Sequence, residues 1–165
     1  MNKAKLSLLL LVAAGPSAYA QHALEQQLAQ LKPLAVVPLE GLEWPAGTLL
    51  CPLTPYQSSL PDASNTAQRV NAFLEKKRFQ GDEGHWSLLV VKPAPAGIEQ
   101  LVFKRGKYDV VTSSAQLSKA ADFVPTTFEF KECVAVQEVR VLVTRGGASH
   151  RTLISFGVEK LKQPG

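Results

Sequence analysis

Two rhythms of apolar and polar residues divide this chain. In the first part the spacing is helical. Leu24, Leu28 and Leu31 recur at i, i+4 and i+7, which predicts a short N-terminal helix over 21–32, stopped by Pro33. Ala67, Val70, Phe73 and Leu74 share one helical face and predict the main helix, over about 63–79. Asp62, Ser64 and Asn65 are candidate N-caps. Lys76, Lys77 and Arg78 fall in the last turn, where cations complement the helix dipole. Gly81 is placed to act as the C-terminal glycine cap. Between these helices, prolines at 33, 38, 45, 52, 55 and 61 forbid a long helix and favour short strands, of which Thr48–Cys51 is the best.

From Trp86 onward the period becomes that of strands. Trp86–Lys92 is β-rich and is stopped by the Pro93–Gly97 run. Ile98–Lys104 and Lys107–Thr112 flank Arg105-Gly106, a two-residue hairpin signal. Residues Ser113–Asp122 read as a loop or a short helical turn. Phe123–Lys131 contains an alternation with Phe128 and Phe130 on one face. Cys133–Thr144 is the longest strand candidate, with Cys133, Ala135, Val139, Val141 and Val143 on one face and Glu138 and Arg140 on the other. Arg145–Ala148 reads as a turn, Thr152–Val158 as a returning strand, and Lys160–Gly165 as a frayed tail. About six strands with segregated helices predict an α+β domain with a largely antiparallel sheet. Strand–helix alternation, and with it a doubly wound sheet, is not expected.

The first twenty residues stand apart. Lys3 and Lys5 precede an apolar stretch from Leu6 to Ala14, Gly15-Pro16 interrupts it, and Ala18-Tyr19-Ala20 supplies a small-x-small cleavage site. Residues 1–20 are therefore expected to be a cleaved signal peptide, with 21–165 as one exported domain, periplasmic or secreted. The apolar stretch falls short of the roughly 18 residues of a membrane span. Removing Lys3 and Lys5 from the 18 basic side chains leaves 16 against 14 acids, a net charge of +2 rather than +4. So small an excess argues against a dedicated nucleic-acid binder.

The compartment sets the reading of the cysteines. Only Cys51 and Cys133 are present, without a CxxC motif, so one structural disulfide is expected. The competing reading, a nucleophilic cysteine paired with a histidine, suits their apolar strand settings less well, because apolar burial raises a thiol's pKa.

Candidate chemistry is sparse. Of the three histidines, His22 adjoins the expected cleavage site and His150 follows a glycine turn. His85 follows Asp82 and Glu83, which offers nitrogen and oxygen donors, but without HExxH or calcium-loop spacing no metal site is assigned. GxSxG, SxxK, GxGxxG and P-loop patterns are not found, and no catalytic residue or cofactor is assigned. Lys104, Arg105 and Lys107 crowd the expected hairpin tip, with Arg145 and Arg151 at another turn. Tips gathered at one end of the sheet would favour a binding site, whereas turn charges scattered over both ends only keep edges soluble. Trp44 and Tyr56 are the candidate aromatic contacts, and Trp86 is expected in the core.

These features predict a non-catalytic exported module that binds another envelope or secreted protein, in the manner of an inhibitor, an immunity protein or an assembly accessory. One alternative is a carrier or sensor of a small or polymeric envelope ligand, with a pocket lined by Phe103, Phe128, Phe130 and Phe156. The other is a hydrolase that uses His85 and nearby acids.

Overall fold

The computed structural model describes residues 16–33, 35–106, 108–117, 124–145 and 151–160. The expected apolar stretch 6–14, the tail 161–165, Phe123, Lys107, Gly146, Gly147 and His150 lie outside the described residues. Helix α1 spans Pro16–Gln30 and α2 spans Asn65–Lys76. The strands are β1 (Ala35–Pro38), β2 (Leu49–Leu53), β3 (His85–Val91), β4 (Ile98–Lys104), β5 (Tyr108–Val110), β6 (Phe128–Phe130), β7 (Val134–Ala135), β8 (Arg140–Arg145) and β9 (Thr152–Glu159). A 3-10 turn at Ser114–Gln116 follows β5. This is the expected mixed α+β architecture, but its strands form two sheets rather than one.

Sheet A runs β1-β8-β9-β5, with β6 also paired to β9; sheet B runs β4-β3-β2-β7. Every pairing is antiparallel except β5 with β9. An inner core lies between the sheets. Leu50, Trp86, Leu88, Val90, Leu101 and Phe103 of sheet B meet Val110, Val141, Val143, Ile154 and Phe156 of sheet A. An outer core lies on the other face of sheet B, where Cys51, Leu53, Leu89 and Val91 pack against Ala67, Val70 and Leu74 of α2. Strand β3 is thus covered on both faces, and this is why Trp86–Val91 carries almost no polar alternation.

Helix α2 forms for the expected reasons. Ser64 proves to be its N-cap, its hydroxyl accepting from the Ala67 N–H at 3.2 Å. Its C-terminus differs from expectation. Arg78, not Gly81, takes the left-handed position, at φ 51°, and the Phe79 N–H reaches back to the Leu74 carbonyl. Gly81 serves a close approach instead: a Cβ there would lie 2.7 Å from the Tyr56 carbonyl carbon. Helix α1 begins at Pro16, where a missing N–H breaks no intrahelical bond, and continues through the expected cleavage site. Leu24 and Leu28 bury its lower face in the inner core.

Two expected strand relationships are corrected. Ile98–Lys104 does not form a hairpin with the segment after Arg105-Gly106. Strand β4 pairs with β3 in sheet B, while β5 pairs with β9 in sheet A, so the chain changes sheets between β4 and β5. The stretch 133–144 is not one strand. It turns at 136–138, giving β7 to sheet B and β8 to sheet A. Val139, Val141 and Val143 do face the inner core together, whereas Cys133 packs on the outer one.

The Cys51–Cys133 disulfide is formed, with an S–S distance of 1.99 Å and a Cα–Cα distance of 4.2 Å. Leu49 opposes Ala135 and Leu50 opposes Val134, so the bridge continues the β2–β7 register by one position. A second close contact holds the edge of sheet A. Gly157 opposes Phe130, and a Cβ on it would lie 2.1 Å from the Glu129 carbonyl oxygen and 2.7 Å from Phe128 Cζ. Gly157→Ala is expected to destabilise the fold by about 1–3 kcal/mol through overpacking. Urea unfolding checks this, and an unchanged midpoint would show that β6 shifts without cost.

Candidate functional site

The structure sorts the sequence candidates onto opposite ends of the β3–β4 hairpin. Tyr56, His85, Lys104 and Arg105 gather where β3 begins and β4 ends. Trp44 lies at the other end, beside the 92–97 turn.

At the first end the pieces are held by a dense set of polar contacts. Arg105 donates through Nε to Asp109 Oδ2 at 2.6 Å and through Nη1 to the Glu83 carbonyl at 3.0 Å. Asp109 is buried, so the guanidinium charge is spent on this contact. Arg105 therefore braces Asp109 and the turn before β3. Lys104 is exposed and stands opposite His85 in the strand register. Tyr56 is 65% exposed and holds a left-handed backbone at φ 69°. Desolvation, then the charge and hydrogen bond of Glu83, push its phenol pKa up.

His85 Nδ1 lies 3.0 Å from Asp82 Oδ1, and both side chains are exposed. The His85 hydrogen bond, followed by the Gly84 N–H, holds the Asp82 carboxyl below its usual value. A depressed carboxylate pKa favours the folded state above the unfolded pKa, and that contribution fades as pH falls through the folded value. His85→Ala is expected to raise the Asp82 pKa towards the ordinary carboxylate range. A carboxyl-detected NMR titration checks this, and an unmoved titration would assign the shift to the backbone alone. Among the described residues, no group of three His, Cys, Asp or Glu side chains converges on a metal position.

The basic turns do share one end of sheet A. Arg145 opposes Thr152, and Thr152 in turn pairs with Tyr108, three residues after Arg105. Arg145 and Arg151 are exposed there.

At the second end the loop between β1 and β2 folds back on itself. The Trp44 N–H donates to the Leu42 carbonyl at 2.9 Å, and Thr48 N–H donates to the Pro45 carbonyl at 3.1 Å. Gly41 and Gly47 supply left-handed positions, at φ 66° and 81°. This geometry presents Trp44 half-buried, with part of the indole packed on the inner core. A hollow of about 480 Å³ opens between this loop, α1 and the 92–97 turn. Leu42, Trp44, Pro45, Ala23 and Ala96 give it apolar walls. Its charged lining is Glu43 and the Lys92–Glu99 pair, at 2.8 Å. Tyr19 and Ala20 complete the wall on the α1 side. Sequence reasoning reached Trp44 but not its neighbours, because Ala23, Lys92 and Ala96 meet it only through the packing of α1 and the hairpin.

The four phenylalanines named for a ligand pocket are mostly interior. Phe103 stacks on Trp86 at 4.2 Å, and Phe103, Phe128 and Phe156 are each at most 3% exposed. They fill the interior. Phe130 borders a surface groove beside Cys133 and the start of α2.

Compared with known proteins, the chain matches no family model, no curated protein and no solved structure.

Proposed function

We propose that this protein is an exported, periplasmic binding module that engages another envelope or secreted protein and works by occupying that partner's surface. The observation that carries the reading is the Trp44 hollow. It combines largely apolar walls and a half-buried tryptophan with few charged groups, Glu43 and the Lys92–Glu99 pair, the composition of a contact site in which one large side chain anchors a partner. The disulfide and the signal-like residues 1–20 are consistent with an oxidising compartment. The exposed basic residues at the opposite end, Lys104, Arg145 and Arg151, would act on the rate of encounter more than on its strength.

The test is capture from periplasmic and secreted fractions with C-terminally tagged protein, followed by titration of the purified captured protein against this chain. A saturable one-to-one complex in the micromolar range or tighter supports the reading. Failure of every captured protein to rebind in purified form overturns it.

A further inference from the structure

Cleavage after Ala20, where the small-x-small site falls, would give the chain a new first residue, Gln21. The fold already holds that side chain. Its Nε2 donates to the Val102 carbonyl of β4 at 2.8 Å and to Glu25 Oε1, one helical turn further on, at 3.2 Å. Gln21 and Glu25 are both half-buried. Leu24 and Leu28, 0% and 3% exposed, fix this stretch of α1 in the inner core. Loss of residues 1–20 would therefore leave Gln21 beside Glu25 in the first turn of an anchored helix.

A glutamine that starts a chain carries a nucleophile and an electrophile on one residue. Its α-amine and its side-chain Cδ close a five-membered ring, so no second reactant has to be captured. An α-amine loses its proton at about pH 7.7–8.0, so a working fraction is neutral near pH 7. The difficult part is the departing nitrogen, because Nε2 leaves as ammonia only after gaining a proton. Glu25 Oε1 stands within hydrogen-bond reach of that atom, the position required of a general acid–base group.

We propose that Gln21 of the processed chain cyclises to pyroglutamate and that Glu25 catalyses the step. This modification rests on the export reading above and adds a covalent change to it. The neutral α-amine attacks Cδ, forming the N–Cδ bond while the carbonyl electron pair moves onto Oε1. Both nitrogens are then bonded to Cδ, so one carboxylate serves them both. Glu25 takes the proton shed by the attacking nitrogen and passes it to Nε2. The Oε1 pair returns, the Cδ–Nε2 bond breaks and ammonia leaves. The atoms balance without any co-reactant. The product has an uncharged lactam terminus, with no amine for an aminopeptidase to recognise. The Val102 carbonyl loses its Nε2 donor, on a residue 43% exposed where water replaces it.

The experiment isolates the exported protein soon after synthesis and follows its intact mass at neutral pH, with tandem mass spectrometry of the N-terminal peptide to place the change. A chain that begins at Gln21 and becomes lighter by one ammonia, with the loss confined to Gln21, is expected. Glu25→Gln should slow that loss roughly tenfold or more. Wild-type protein unfolded in urea should slow to the same degree, because the carboxylate is then no longer held at Nε2, and this arm does not depend on how the variant folds. A chain that starts at Gln21 and keeps its amine overturns the proposal and leaves export standing. Equal rates in folded wild type, unfolded wild type and Glu25→Gln also overturn it, leaving only the spontaneous chemistry of any terminal glutamine. A chain that starts at another residue overturns it as well, and one that retains residues 1–20 removes the export reading with it. Partner capture tests the binding reading separately from each of these results.

Discussion

Replacing Cys51 and Cys133 together by alanine is expected to lower stability by about 4–5 kcal/mol, the largest effect of any change considered for this fold. The two residues are 82 positions apart, so the bridge closes a long loop and removes much freedom from the unfolded chain. It also sits at a place where little else resists separation. Strand β7 has only two residues, and only Leu49 and Leu50 of β2 pair with it. Cys51 is fully buried against the α2 layer, so its truncation adds a small packing defect. A domain with a total stability of roughly 5–15 kcal/mol would lose about a quarter or more of it. Equilibrium denaturation of the oxidised protein, the reduced protein and the double variant checks this. The reduced protein and the variant should unfold at nearly the same low midpoint. A loss below about 1 kcal/mol would mean that the unfolded chain already holds these segments together.

Trp86→Ala is expected to cost about 3–5 kcal/mol. The indole is 1% exposed and stacks on Phe103 with ring centroids 4.2 Å apart. It also meets Tyr108 edge-on at 6.4 Å and Phe156 at 6.5 Å. Trp86 and Phe103 belong to sheet B, and Tyr108 and Phe156 to sheet A, so this one side chain joins the two sheets. Its indole N–H has no hydrogen-bond partner among the described residues. Truncation therefore forfeits apolar packing and strands no acceptor. Trp86→Phe should for the same reason cost roughly half as much or less. Thermal and denaturant unfolding check both variants. Equal losses for Phe and Ala would show that indole-specific packing, not volume, holds the sheets together.

These residues show where the fold was legible. Helix α2 could be read because its apolar spacing, its Ser64 cap and its basic last turn are all local signals that agree. The strands at 85–91, 98–104 and 152–159 could be read from β-rich runs bounded by turn residues. Trp86 lies in the core, as its position at the start of a β-rich run predicts. The disulfide was legible because only two cysteines were available to pair. The false hairpin at Arg105-Gly106 has an equally clear cause. A two-residue turn signal reports that the chain bends, not which sheet the next strand joins. The split of 133–144 leaves no local mark, because Ala135 and Val136 continue an apolar run while the backbone turns away at 136–138.

The candidate contacts behaved the same way. Trp44 and Tyr56 lie twelve positions apart in the same proline-rich segment, but β2 runs between them and carries them to opposite ends of sheet B. Arg105 reads as a surface charge, and only the fold shows its bonds to Asp109 and the Glu83 carbonyl. By itself the sequence determined what depends on neighbours along the chain: the helix periods, the cap, the strand-rich second half and the single possible disulfide. The tertiary structure alone decided which strand pairs with which, how β3 comes to be covered on both faces, and that Ala23, Trp44 and Ala96 enclose one hollow. Strand pairing and cavity walls are made by residues distant in sequence, and their energies depend on packing that no local pattern encodes.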